Sequence, residues 1–321
     1  MIDAAIVGLG RWGKTLVESV QGKSDKIRFT RAVSRDPAQH REFLETQHLL
    51  AGTFAEALAD KSIKAIVLAT PHTQHVDEVI AAAGAAKHVF CEKPLALTKD
   101  GTRRAIGACR EAGVVLGIGT DKRYFPAIAE AIRLCDSGEL GPLIHIEGNF
   151  SNEVAAGFTA WRGSFDETPA GGMTGTGIHV LDAMMRIAGP VDRVHARLLS
   201  LKPDPDPWDS LSILLEFASE IGGTLACVRS TPMFLRLHAF GRNGSAEAVS
   251  RHDIIIRKSG AEPIRLKFPV NDSVRINLEA FADAVSGAAP YPVSPDQIAA
   301  VTNTFVAIAD AVRTGVVTQE V

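Results

Sequence analysis

Short apolar runs alternate with stretches of helical spacing through the first 120 residues. AAIVG (4–8), IRFTRAVS (27–34), AIVLAT (65–70), HVFCE (88–92) and VVLGIGT (114–120) read as strands. Most are close to continuous in apolar residues, the pattern of parallel strands buried on both faces. Between the first two, Trp12, Leu16 and Val20 recur every four residues; over 72–87, Val76, Val79, Ile80 and Ala83 share one helical face. Repeated strand–helix–strand order predicts an α/β fold built on a doubly wound parallel sheet.

The rhythm changes beyond residue 120. A helix over 126–137 gives way to LIHIEGNFS, a glycine-rich loop with a short helix, and then six long strand patterns: VDRVHARLLS, SLSILLEF, GTLACVRST, RLHAFGR, DIIIRKS and PIRLKFP. Several alternate in polarity, as strands do in a sheet with one packed face and one face wet or covered by a partner. KPDPDPWD (202–209) is a proline-rich loop, and helices over 273–287 and 295–314 close the chain. Residues 1–121 are therefore expected to form a dinucleotide-binding domain and residues 122–321 a second, substrate-binding and oligomerisation domain.

Composition narrows the class. The chain has 321 residues, 46% of them hydrophobic, and a net charge of −3. That balance favours neither nucleic acid nor an anionic membrane. Cys91, Cys109, Cys135 and Cys227 lie far apart, without metal-ligand spacing, and read as buried thiols in a reducing compartment. No metal is expected. MIDAAIVGLG enters a strand directly, with no leader pattern, and no apolar run reaches membrane-spanning length, so the expected location is the cytoplasm.

GLGRWG (8–13) has the spacing G-x-G-x-x-G between a strand and a helix, which marks a dinucleotide site. Gly8 permits a tight turn, Gly10 lets the backbone approach a pyrophosphate, and Gly13 lets helix and strand pack closely. Arg11 and Trp12 complete the loop, whose helix N-terminus offers N–H groups to phosphate. The second strand ends in AVSRD, where a carboxylate would ordinarily read the ribose of NAD. Ser34 and Arg35 at this tip suit a 2′-phosphate instead, with charge-assisted contacts worth about 1.5–3 kcal/mol each. NADP is the preferred cofactor on this reading. The other reading makes Arg35 a solvated charge and turns Asp36 inward to bind NAD.

CEKP (91–94) follows the fourth of these strands, at the carboxyl end where doubly wound sheets bind ligands. Pro94 holds Lys93 extended, and the peptide between them is a candidate for the cis form. Lys93 there can stabilise negative charge on a substrate oxygen; the alternative is a Glu92–Lys93 surface pair.

In order, GLGRWG, ATPHTQHVD, HVFCEKPLALT and GGMTGTGIHVLD, with EAFADAVSGAAPYPVSPDQ near the end, resemble the Gfo/Idh/MocA family of glucose–fructose oxidoreductase-like and inositol dehydrogenase-like proteins. The resemblance spans most of the chain. It implies a Rossmann domain followed by an α/β domain with a large open, mostly antiparallel sheet, often assembled as a homodimer or homotetramer. It implies hydride transfer between a nicotinamide and a hydroxyl or carbonyl carbon of a sugar, polyol or related metabolite. By the same resemblance Lys93 contacts substrate and nicotinamide, and Glu92 and Thr70, Pro71, His72 and His75 border the cofactor. The two histidines could equally cap or flank a helix. Tyr124 matches a segment near the substrate, or else anchors a hinge; Trp161 and Arg162 form a pocket wall, or simply pack.

The family pattern around residues 171–182 resembles G-G-x-x-x-D-x-G-x-H-x-x-D. Gly177, His179 and Asp182 match it, while the first aspartate falls on Gly175. The resemblance implies that this carboxylate works with the lysine and histidine around the reacting hydroxyl. His179 is the expected proton carrier, since an imidazole exchanges protons near neutrality. Asp182, one helical turn on, is expected to orient its ring, and the glycines are expected to keep the loop thin beneath a substrate. The rival reading is a cofactor-binding sensor. The family contains a galactose-pathway repressor, and Gly175 is the feature that favours this reading.

Overall fold

The computed structural model describes residues 1–152, 164–199, 210–229, 231–316 and 318–321. Two compact units emerge: residues 1–119 with 272–299, and residues 120–271 with 300–321.

The first unit is a six-stranded parallel sheet. Its strands are β1 (Ile2–Val7), β2 (Ile27–Val33), β3 (Leu50–Gly52), β4 (Ala65–Leu68), β5 (His88–Cys91) and β6 (Leu116–Ile118), in the order β3-β2-β1-β4-β5-β6. This is the doubly wound order in which the chain reverses direction beside β1. The intervening helices are α1 (Arg11–Val20), α2 (Arg41–Thr46), α3 (Phe54–Ala59), α4 (His75–Gly84) and α5 (Lys99–Glu111). Alternate residues of each strand point to opposite faces, so the apolar runs feed two cores. Ala65 and Val67 of β4 join Ile6, Leu16, Phe29 and Phe90 on one side. Ile66 and Leu68 join Val79, Val89 and Ile118 on the other.

A late segment completes the first of these cores. The helix Ser273–Ser286, α8 in chain order, buries Leu278 and Phe281 there. Gly117 of β6 makes room, because a Cβ on it would lie 2.8 Å from ring carbons of both Phe90 and Phe281. Asn277 donates to the Ile118 carbonyl at 2.9 Å, and the Ile118 N–H donates to the Tyr291 hydroxyl at 3.2 Å. The sheet edge at β6 is thereby satisfied by residues more than 150 positions away in the chain.

The second unit holds a nine-stranded, mostly antiparallel sheet. The strands are β7 (Leu143–Ser151), β8 (Val191–Leu199), β9 (Ser210–Phe217), β10 (Gly222–Val228), β11 (Phe234–Gly241), β12 (Gly244–Ala248), β13 (Asp253–Lys258), β14 (Ile264–Lys267) and β15 (Thr318–Glu320). Their order is β14-β13-β12-β11-β7-β10-β9-β8-β15, with β7 and β10 parallel. Helices α6 (Pro126–Asp136) and α7 (Ile178–Ala188) pack on one face, and the last helix, α9 (Pro295–Thr314), begins in the first unit and ends in the second. The period-2 pattern is obeyed: Ile146, Gly148 and Phe150 of β7 and Leu235, Leu237 and Ala239 of β11 line the packed face. Glu147 and Arg236 occupy the other face, where Arg236 pairs with Glu147 at 2.6 Å and with Glu247 at 2.7 Å.

Candidate active site

The turn from β1 to α1 has the geometry its glycines were expected to provide. Gly8 sits at φ +95°, where a side chain would be strained, and a Cβ there would lie 2.6 Å from the Ala69 carbonyl oxygen. A Cβ on Gly13 would overlap the carbonyl of Gly8, so only glycine lets α1 pack this closely. Gly10 differs from both. A Cβ on it would meet nothing within 4 Å, so its backbone faces open space. It is also the N-cap of α1, and no side chain caps the helix there. Uncapped N–H groups beside an exposed glycine backbone suit a pyrophosphate, and the cradle fits a dinucleotide. Arg11 is exposed, and Trp12 packs its ring against the core beneath the turn.

At the tip of β2, Asp36 is committed to its own turn. Its Oδ1 accepts from the Ala38 N–H at 3.2 Å and its Oδ2 from Gln39 Nε2 at 2.7 Å, capping the short 3-10 turn Pro37–His40. Arg35 is exposed, with no ion-pair partner among the described residues, and Ser34 beside it is half-buried.

The edge formed by the ends of β4 and β5 is held by a network. Thr70 donates its hydroxyl to Glu78 at 2.5 Å, and burial raises the Glu78 carboxyl above its usual range. His75 is fully buried. Its Nε2 lies 3.1 Å from the Thr70 carbonyl oxygen and its Nδ1 2.8 Å from that of Pro94. The His72 ring sits edge-on to it, centroids 5.5 Å apart. His75 thus packs at the start of α4 as a tie between two backbone segments. Lys93, half-buried, follows β5 at its carboxyl end, and the peptide to Pro94 is cis. Glu92 is buried, not a surface partner. A Cβ on Gly119 would overlap its carboxylate, and the Lys93 N–H points toward its Oε2 at 3.4 Å.

In the second unit, the glycine-rich stretch forms a π turn, Met173–Gly177, that runs directly into α7. Its glycines are not all alike. Cβ atoms on Gly172 and Gly177 would press on Cys227 of β10, and the one on Gly177 would also lie 2.7 Å from Met173 Sδ. These two glycines serve packing, which corrects the expectation that all of them thin the loop beneath a substrate. Gly175 is the exception: it is exposed, and a Cβ there meets nothing within 4 Å.

His179 lies in the first turn of α7 and is only 4% exposed. Asp182 does not orient it in the expected way. Both oxygens of Asp182 accept from Arg123, at 2.9 and 2.5 Å. A different carboxylate faces the ring: Asp121 Oδ1 is 3.8 Å from His179 Nδ1. The other oxygen of Asp121 accepts from Lys122 Nζ at 2.9 Å. All three charged residues belong to the 3-10 turn Asp121–Tyr124. No sequence signal pointed to Asp121, Lys122 or Arg123, because DKRY reads as a solvated charged loop and only the fold buries it. Tyr124 shares this turn. Burial raises the pKa of its hydroxyl above the usual tyrosine value, and its carbonyl accepts from Asn271 at 2.8 Å. Trp161 and Arg162 lie outside the described residues.

Comparison with known proteins agrees with this anatomy. Residues 2–120 match the model of an oxidoreductase family with an NAD-binding Rossmann fold. Residues 128–247 match the GFO/IDH/MocA C-terminal domain. The chain is 29% identical to D-xylose 1-dehydrogenase (NADP(+)) 2 of Haloferax volcanii over 272 residues, 82% of either chain. It is 30% identical to scyllo-inositol 2-dehydrogenase (NAD(+)) of Bacillus subtilis over 260 residues, 76% of this chain and 72% of that protein. Among solved structures, aldose-aldose oxidoreductase from Caulobacter crescentus superposes with a TM-score of 0.89 at 23% identity, covering 100% of this chain and 99% of that one.

Proposed function

Because the chain belongs to the Gfo/Idh/MocA family of oxidoreductases, we propose that it oxidises or reduces a hydroxyl or carbonyl carbon of a sugar or polyol with a nicotinamide dinucleotide. The observation that carries this reading is the β1–α1 cradle, in which Gly10 and an uncapped helix N-terminus face open space. When bound, the nicotinamide accepts or returns the hydride. Gly8, Gly10, Arg11, Trp12 and Gly13 hold the pyrophosphate, and Thr70, Pro71, His72 and Glu92 border the nicotinamide half. Lys93 donates to the reacting oxygen and stabilises the charge it develops. His179 takes the hydroxyl proton in oxidation and returns it in reduction.

NADP is the preferred cofactor on this reading. Asp36, the carboxylate that would read the ribose of NAD, is turned onto Ala38 and Gln39, leaving Arg35 and Ser34 to meet a 2′-phosphate. The relatives divide on this point, one named for NADP and one for NAD.

The decisive measurement is absorbance at 340 nm with NADP or NAD against a panel of aldoses, inositols and their keto forms. Turnover supports the reading. Nucleotide binding with no turnover across the panel would favour the sensor, which the dehydrogenase names of the relatives do not favour.

The open face of the nine-stranded sheet supports a homo-oligomer. Leu214 and Phe234 are 45% and 49% exposed there, around a hollow of 650 Å³. Light scattering that returns a monomer at micromolar concentration would overturn that assignment.

A further inference from the structure

We propose that Asp121 is the positioning residue for His179, supplying from another part of the chain the carboxylate that position 175 lacks. The inference rests on the proposed role of His179 as proton carrier.

The geometry has three parts. First, Asp121 and His179 approach each other in a nearly dry setting: Oδ1 and Nδ1 are 3.8 Å apart, and the side chains are 3% and 5% exposed. That distance is longer than a hydrogen bond but within ion-pair reach, and such contacts commonly tighten only once substrate is bound. Low local polarity makes the attraction stronger than it would be in water. Second, Asp121 is itself held. Lys122 Nζ donates to its Oδ2 at 2.9 Å and sits 5.0 Å from the centroid of the Phe125 ring. The lysine occupies Oδ2, and Oδ1 is the oxygen turned to the imidazole. Third, the turn that carries Asp121 is fastened to the helix that carries His179. The forked guanidinium of Arg123 takes both oxygens of Asp182, one helical turn beyond His179. That pair is buried and fixes the separation of turn and helix, so Asp121 is presented to the ring by a rigid clamp.

The consequence is a choice of tautomer. A carboxylate facing Nδ1 favours the proton there, which leaves Nε2 with its lone pair for a substrate proton. In alcohol oxidation the substrate O–H and C–H bonds break. The proton goes to Nε2, the hydride pair goes to the oxidised nicotinamide, and the C–O bond becomes a carbonyl. Asp121 then stabilises the imidazolium that results. Charged groups near this stretch among the described residues include Lys122 and Arg123 on the turn and Asp182 on α7, while Arg229, just beyond β10, lies beside Gly172; β7 presents the Phe150 ring, 6.5 Å from that of His179. Gly175 contributes no carboxylate and faces open space.

The test uses the full chain with histidine ring nitrogens labelled with 15N. His179 is assigned by the resonance that vanishes in His179→Gln. In the parent chain the neutral ring is expected as the Nδ1–H tautomer. Asp121→Asn, nearly isosteric but uncharged, is expected to shift the ring toward the Nε2–H form that free imidazoles prefer; Asp121→Glu is expected to retain the parent pattern in part. Unchanged ring shifts in Asp121→Asn would overturn the proposal, whether or not a substrate is known. With the aldose or inositol that the panel turns over fastest, Asp121→Asn is expected to lower kcat at least about tenfold. KM for the nucleotide stays unchanged and the limb of the pH–rate profile moves. Full turnover by His179→Gln would instead sink the functional reading while leaving the spectroscopic result intact. Circular dichroism confirms that each variant is folded, and should Asp121→Asn fail to fold, Asp121→Glu carries the comparison.

Discussion

Nδ1 of His75 lies 2.8 Å from the carbonyl oxygen of Pro94, nineteen residues further along the chain. The same ring reaches the Thr70 carbonyl through Nε2 at 3.1 Å. One buried side chain thus joins the loop after β4 to the loop that bears Lys93. Replacing it with alanine removes two polar contacts, to a buried carbonyl at Pro94 and a half-buried one at Thr70. His75→Ala is expected to cost about 1–3 kcal/mol of stability, read from urea unfolding. It is also expected to lower kcat more than it raises KM for the nucleotide.

Lys93 is expected to matter at the chemical step. Removing a donor aimed at a developing oxyanion costs about 100-fold or more in turnover. Lys93→Ala should show that loss in steady-state rates, with nucleotide affinity measured by fluorescence titration much less affected. Unchanged kcat would remove Lys93 from the mechanism.

Cofactor choice follows from charge at the tip of β2. Arg35→Ala is expected to weaken NADPH binding by about 10- to 100-fold, the loss of one charge-assisted contact. NADH binding should change far less. Calorimetric titration of both nucleotides checks it, and equal losses would mean that Arg35 is a solvated charge.

The two kinds of glycine around the π turn are separable by mutation. Gly177→Ala forces a Cβ against Cys227 and Met173 and is expected to cost about 1–3 kcal/mol. Gly175→Ala meets no neighbour within 4 Å and is expected to be neutral or slightly stabilising, by up to about 1 kcal/mol. Thermal unfolding of the two variants side by side decides.

His238 makes stability depend on acidity. Burial lowers its pKa to about 4, with Arg236 and Arg257 adding to the effect against the pull of Glu247. Arg236 donates to its Nδ1 at 3.0 Å, a contact only the neutral ring can accept. Between the unfolded value of 6.5 and about 4 the unfolded chain binds the extra proton, so stability rises with pH across that window and falls as acid is added. Urea midpoints from pH 7 to 4 are expected to drop less steeply for His238→Gln than for the parent chain.

Local order was plain in the sequence. Strand–helix alternation specified the parallel sheet because its strands are buried on both faces and need continuous apolar runs. The fingerprint glycines were legible because a tight turn, an open backbone and a close helix each impose a steric condition that few residues meet. Where side-chain signal is weak, elements stayed hidden. β12 reads GSAEA, and β3 and β15 are three residues long. They exist because neighbouring strands complete their hydrogen bonds.

What the chain alone determined is therefore the pattern that repeats over a few residues: five strands of the parallel sheet, the phosphate turn, and a lysine and a histidine each at the end of its own element. Tertiary structure decided the partners. It gave Asp182 to Arg123, 59 positions away, and brought Asp121 to His179; it set α8 against β6 and turned Gly172 and Gly177 toward Cys227. Such pairings depend on distance in space, and a carboxylate carries no mark along the chain of which cation or imidazole the fold will bury beside it.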